Sequence, residues 1–271
     1  MTTTLTAPAP PPAGDHDSGT RTAVRVVAVV VALALVGYGA VTVVSLLARG
    51  VGTRHATYAG VRTLHLDLSF ESVDVVGSSS ATGVRMIRTF HWSLARPDIA
   101  AHLSGDTLTV SSHCPWSPGI PCTGRVRLVV PAATRIVGGS GDGHLTVRGV
   151  TSAMNLSSSD GGLEVHGATG ALRLSTSDGG ISATGLHTGD VRASTSDGSV
   201  HLSFLAPPTA VRVTSSDGSV LVDVPHDGAA YRVNISTSDG SRTVDVPTDP
   251  SSDRHVAVST QDGSVRVETL R

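Results

Sequence analysis

A series of seven Asp-Gly pairs is the most regular acidic feature of this 271-residue chain. Asp142, Asp160, Asp178, Asp197, Asp217, Asp239 and Asp262 each precede a glycine, at steps of 18, 18, 19, 20, 22 and 23 residues. Stacked about 4.8 Å apart, neighbouring carboxylates would repel by about 0.9 kcal/mol in water and about four times that at an effective dielectric of 20. Solvation, turn N–H donors or a cation must offset this. Calcium is the natural cation, being hard and oxygen-seeking. The calcium-binding pattern GGxGxDxUx is not met, because Gly138-Gly139-Ser140-Gly141-Asp142 brings its aspartate one residue early. The pairs read first as turns, with calcium as a secondary possibility. Glycosidase chemistry needs two distinct carboxylates, one with a raised pKa. Here every turn aspartate has an equivalent in the next repeat. The twelve histidines form no HExxH and no triad spacing. No residue is singled out as catalytic.

Arginine offers a second chemistry. Arg173, Arg192 and Arg212 each lie five residues before an Asp of the series, on consecutive repeats. Such a stripe could dock an anionic polymer, a cell-wall phosphate chain or lipid head groups, through bidentate contacts. The competing reading is a solvated face, softened by Asp190 beside Arg192. All twenty basic residues are arginine. The lack of lysine excludes Walker-A loops, Schiff-base chemistry and S-x-x-K hydrolases. A net charge of -2 argues against nucleic-acid binding. Cys114 and Cys122 close the loop CPWSPGIPC, and their spacing fits no common zinc pattern. A disulfide is the simplest reading, which places the loop outside the reducing cytosol. Two free buried thiols are the alternative.

The elements that position these residues follow from alignment on the aspartate. Positions six and four before it, and three and five after it, are apolar in 26 of 28 cases, where 39% hydrophobic content would give about 11. Gly138 and Arg242 are the exceptions. Period-two alternation means strands with one face buried. Two residues before each aspartate stands a hydroxyl: Ser140, Ser158, Thr176, Thr195, Ser215, Thr237 or Thr260. By parity it points inward. Each unit is therefore strand, Ser/Thr-Ser-Asp-Gly turn, strand and return. The glycine is expected to supply a positive φ, and the aspartate to hydrogen-bond its own backbone.

A meander of hairpins would satisfy the same parity, but gives no reason for identical turn residues. Stacked coils do, since equivalent residues then form ladders. The fold expected is an all-β parallel β-solenoid, each coil lying on the one before. Insertions at Pro207-Pro208, Pro225 and Pro247 to Pro250 read as loops bulging from the return side. An aromatic content of 3% suits an interior too thin for Trp or Phe. Upstream, Leu64, Leu66 and Leu68 lead through Phe70-Glu71-Ser72 to Val73 and Val75 in a weaker copy of the pattern. Between Gly83 and Val130 it dissolves into irregular strands around the cysteine loop, read as an N-terminal cap. Trp116 reads as a core anchor beneath that loop.

Residues 1–24 are rich in Thr, Pro and Ala and are expected to form a disordered tail. An uncharged block of about 23 residues follows, long enough to cross a bilayer. It is longer than a signal-peptide core and lacks a small-x-small cleavage site. The organisation expected is a tail over 1–24, a transmembrane helix over 25–48, a linker over 49–57, an irregular N-terminal β part over 58–135 and the repeat solenoid over 136–271. Arginines at both ends of the span, Arg21 and Arg25 against Arg49 and Arg54, leave its orientation undecided. The disulfide reading places the tail in the cytoplasm and the β domain outside.

The run VRLVVPAATRIVGGSGDGHLTVRGVTSAMNLSSSDGGLEVHG and the later T-S-D-G coils resemble the candidate-adhesin β-strand-repeat family of bacterial envelope proteins. The likeness spans about Tyr58 to Arg271. It implies a parallel β-helix-like domain placed in the envelope, and it brings no active site. The function expected is a membrane-anchored adhesion, scaffolding or interaction module without catalysis. Its expected partners are the membrane through its own helix and a wall polymer, lipid head groups or another envelope protein. A polysaccharide-processing β-helix enzyme and an envelope-stress regulator are the alternatives.

Overall fold

A computed structural model describes residues 18–47, 50–92, 98–113 and 123–270. It divides the chain into two units, Met1–Ala48 and Arg49–Arg271. The first contains α1 (Ser18–Leu47). Its stretch Ala23–Val44 is long and apolar enough to cross a membrane, with large apolar side chains such as Leu33, Leu35 and Val36 exposed. The helix starts inside the segment expected to be tail. No proline follows Pro12 until Pro97, so nothing stops helical hydrogen bonding from running upstream of the apolar block.

In the second unit the described strands form two sheets, of eleven and ten strands. Most neighbouring strands are parallel, as in the expected solenoid. The middle of the stack is regular. β8 (Arg135–Ser140) and β9 (Leu145–Arg148) make one coil, β10 (Met154–Ser158) and β11 (Leu163–His166) the next. Then follow β12 (Leu172–Thr176) with β13 (Ile181–Leu186), β14 (Asp190–Ser194) with β15 (Val200–Phe204), and β16 (Ala210–Thr214) with β17 (Val220–Val224). Met154 lies on Ile136 and under Leu172, and Leu163 lies between Leu145 and Ile181. Alternation along each strand buries these residues against the opposite sheet; Leu156, Leu172, Val200 and Val222 are all at most 1% exposed. Fully burying each such side chain stabilises by roughly 1.5–3 kcal/mol.

Chain order departs from stacking order at both ends. β18 (Arg232–Ser236) and β19 (Arg242–Asp245) follow β17 in sequence. The strands that actually pair with β16 and β17 are the last two, β20 (His255–Ser259) and β21 (Val265–Thr269). The Asp239 coil is therefore outermost, and the Asp262 coil fills the gap beneath it. This corrects the expectation that each coil lies on its predecessor. The return segments explain it: 149–153 and 167–171 advance one coil, whereas the longer 225–231 and 246–254 have the reach to skip one and come back.

The other end repeats the device. β2 (Thr63–Leu68) and β3 (Ser72–Ser78) pair directly with β8 and β9. The later β6 (Thr107–His113) and β7 (Thr123–Pro131) lie on their far side. Antiparallel strands close this end. β4 (Gly83–Trp92) pairs β7, β1 (Gly50–Ala59) pairs β4, and β5 (Asp98–Ser104) pairs β6. Residues expected as a linker thus contain an edge strand, since Val51, Thr53 and their neighbours find backbone partners on β4.

Aromatics are not excluded from the interior. Phe204 and Tyr231 are fully buried. Phe204 sits where a register shift between Ala183 and Leu186, at left-handed Gly185 (φ 64°), opens the return side.

The turn chemistry also differs from expectation. None of the seven repeat-turn glycines, Gly143 to Gly263, has a positive φ. They are needed because backbones touch: a Cβ on Gly161 would fall 2.1 Å from Gly143 O, on Gly179 2.1 Å from Gly161 O, and on Gly198 2.0 Å from Gly179 O. Left-handed glycines stand at the return corner instead, at Gly149, Gly167 and Gly185.

Candidate functional site

Strand register carries the repeat's chemistry to three surfaces. The first is the turn edge. Asp160 N and Ser159 N both donate to Gly141 O, and Asp178 N and Ser177 N both donate to Ser159 O. The same fork recurs at Asp197, Asp217 and Asp262. The inward hydroxyls bond the backbone of their own turn and of the neighbouring coil: Ser158 Oγ donates to Gly141 O at 2.9 Å, and Thr260 Oγ1 donates to Ser216 O at 3.0 Å. Gly198, Gly218, Gly240 and Gly263 return N–H bonds to Thr195, Ser215, Thr237 and Thr260. The hydroxyl row is thus explained as a stitch that satisfies buried turn amides. The aspartate side chains are exposed. In place of the expected self-bonds, the backbone amides of these turns bond across coils.

In space the aspartates run Asp142, Asp160, Asp178, Asp197, Asp217, Asp262, Asp239. Among the described residues no group of three His, Cys, Asp or Glu side chains is arranged to hold a metal.

The second surface is the outward face of the ten-stranded sheet. Arg173 pairs in register with Arg192, and Arg192 with Arg212. Asn155 continues the row on one side and Ala257 and Asn234 on the other. Adjacent arginines stand about one strand spacing apart, about 4.8 Å. Arg192 Nη1 lies 2.9 Å from both carboxylate oxygens of Asp190. Arg173 and Arg212 make no ion pair among the described residues. Beside the arginines runs a parallel row of outward hydroxyls, including Ser175, Ser194 and Thr214. Depressions of about 330 Å³ and 460 Å³ lie along these rows, and Arg212 lines both.

The third surface, on the eleven-stranded sheet, was not legible from spacing alone. Register gathers scattered residues into a network. Asp74 lies 3.1 Å from Arg148 Nη1 and 3.5 Å from Arg127 Nε. Glu164 lies 2.9 Å from His166 Nε2 and 3.7 Å from both His144 Nε2 and Arg148 Nη2. The hydrogen bond from His166, with help from Thr146 and Arg148, holds the Glu164 carboxyl below its usual pKa. Next to this network lies an open groove of about 740 Å³, floored by Gly162, Gly180 and Ser182 and reaching His201. His201 Nε2 in turn meets Asp223 at 2.8 Å. The useful signal would have been the rows two, four and six residues after the aspartates, which hold His144, then Glu164 and His201, then Arg148, His166 and Asp223, read downward across repeats.

One acidic group is buried. Glu71 occupies the place in its coil that glycine holds elsewhere, since a Cβ on Gly143 would fall 1.7 Å from Glu71 O. Its side chain turns inward beside Gly124 and is 0% exposed. Ser112 Oγ donates to Oε2 at 2.6 Å, while Oε1 has no partner. Burial pushes its pKa up, against the opposing Ser112 bond. It lies within the capped end and lines none of the grooves on the two sheet faces. Cys114, Cys122 and Trp116 lie outside the described residues.

These features define a parallel β-solenoid whose repeated outward rows, on a stitched frame, are its chemically distinctive surfaces. The chain belongs to the Toastrack DUF4097 family, whose profile matches residues 131–268, just over half of its length. Solved structures similar to it include a candidate adhesin from Bacteroides fragilis, at 11% identity over 82% of this chain and 97% of that one, with a TM-score of 0.47. A candidate adhesin from Parabacteroides merdae matches at 13% identity over 82% and 96%, also with a TM-score of 0.47. A candidate cell adhesion protein from Clostridium sporogenes matches at 8% identity over 82% and 100%, with a TM-score of 0.33. No curated protein matches the chain in sequence.

Proposed function

We propose that this protein is a non-catalytic interaction module of the cell envelope, anchored by α1 with its β domain outside, that docks an anionic polymer along Arg173, Arg192 and Arg212. The observation that carries this is the in-register arginine row, with one neighbouring carboxylate for three cations. Each adjacent pair repels by about 0.9 kcal/mol even in water. A chain of phosphate or carboxylate groups laid across the strands relieves that repulsion and accepts guanidinium hydrogen bonds. The hydroxyl row beside it adds neutral donors. Glu164, held ionised by His166, is a poor general acid, and enclosed Glu71 is out of reach of a polymer.

The test uses the full chain in detergent micelles and polyphosphate as the probe. Binding should weaken steeply with salt. Arg173→Ala and Arg212→Ala should each cost roughly ten-fold in affinity, and Arg192→Ala less, because Asp190 already holds it. Arg192→Ala should leave the melting temperature nearly unchanged. Equal binding by the triple alanine variant would overturn the assignment.

A further inference from the structure

Arg242 is the one charged residue among the 28 inward positions of the repeat, and the fold puts it at the edge of the stack. Among the described strands β18 pairs only β20, and β19 pairs only β21, so both sheets end together with a row of backbone N–H and C=O groups unpaired. The interior beneath is apolar. Val244 is 43% exposed and Val233 and Ile235 are half-buried, whereas Val256, Val258, Val265 and Val267 one coil below are at most 3% exposed. Free strand edges around an open apolar core are a template for another sheet. The opposite end is covered by β1, β4 and β5; no described strand covers this one.

A second copy of the same chain fits that template in shape. A two-fold rotation that continues each sheet with its own copy pairs β18 antiparallel to itself about Asn234. Val233 then faces Ile235 of the second copy, twice. The same operation pairs β19 about Thr243 and sets Arg242 beside Val244 of the second copy, also twice. Residues opposite one another in an antiparallel pair share a face. Both guanidinium groups would enter the joined interior, while Asp245, of opposite parity, points away from them. An unpaired buried charge is strongly unfavourable.

We infer that Arg242 is a gatekeeper: its inward charge keeps the open end of the solenoid from joining a second copy, and without that charge the end becomes a self-association surface. The anchored chain then stands alone, with both outward faces free along their full length.

The experiment compares the full chain in detergent micelles with its Arg242→Val, Arg242→Lys and Arg242→Val/Val244→Asp variants by sedimentation velocity over a concentration series. Asn234→Cys is added to each as a cross-link reporter at the two-fold axis. Arg242→Val should dimerise roughly a hundred-fold more tightly than the parent and form the disulfide cross-link at position 234. Lys should behave as the parent, and Val244→Asp should restore it. The reporter separates pairing through this end from pairing through α1. A folded Arg242→Val chain that forms no cross-link through the reporter thiol would overturn the inference. So would a parent chain that cross-links as readily.

Discussion

The two ends of the stack each hold a charge on the inward side, and they accommodate it in opposite ways. At the capped end Glu71 is fully buried, accepts hydrogen bonds from Ser112 Oγ and the Phe70 amide, and answers burial with a raised pKa. At the open end Arg242 remains exposed because no described coil covers it. A carboxyl can take up a proton and become neutral when desolvated. A guanidinium cannot at any ordinary pH. The group that can be neutralised is enclosed, and the group that cannot is left at the rim.

The largest expected effect breaks this comparison with one substitution made in two places. Val213→Asp, inside the regular middle, puts a charge where both neighbouring coils are apolar, and should cost more than about 4 kcal/mol and unfold adjacent coils. Val244→Asp, at the open rim, should cost less than about 1 kcal/mol. Similar losses in thermal melts of the two variants would mean that the rim is covered.

A smaller effect separates two kinds of glycine. Gly198→Ala drives a Cβ to 2.0 Å from the Gly179 carbonyl oxygen, and backbone must move. A loss of about 2–4 kcal/mol is expected. Gly167 has φ 66° and open space around it. Alanine there should cost only the left-handed penalty of about 1–2 kcal/mol. Reversal of that order would show that the turn, and not the close stacking, sets the glycine requirement.

The smallest effect sharpens the buried end. Because the folded pKa of Glu71 is raised from 4.5, its favourable contribution is complete below that value and is lost as pH rises through the folded one. Glu71→Gln removes the titration. The melting temperature of the variant relative to the parent should therefore climb as pH rises above about 4.5, until the folded carboxyl is ionised. Glu164 moves the other way, contributing above its unfolded value and fading as pH falls through its lowered one, but it is common to both chains and cancels in the difference. A pH-independent gap would contradict the burial of Glu71.

Much of this molecule is written in one dimension. The apolar rows from Ile136 to Val267, the inward hydroxyls and the alignment of Arg173, Arg192 and Arg212 follow from an Asp-Gly period and strand parity. Those depend only on residue spacing, and local alternation fixes which face a side chain takes. Even the anomaly at Arg242 was visible as a break in an apolar row.

Which coil touches which was decided in three dimensions. A return segment constrains only how far the chain can travel, so 225–231 and 246–254 permit one coil to be skipped without naming it. Placing the exposed arginine outermost and the all-valine interior of β20 and β21 beneath it is the arrangement that buries apolar surface without burying charge. The glycine contacts of the turns and the Asp74–Arg148–Glu164–His166 network likewise arise between residues many positions apart. Their cause lies in the spacing of neighbouring backbones, a quantity no stretch of sequence contains by itself.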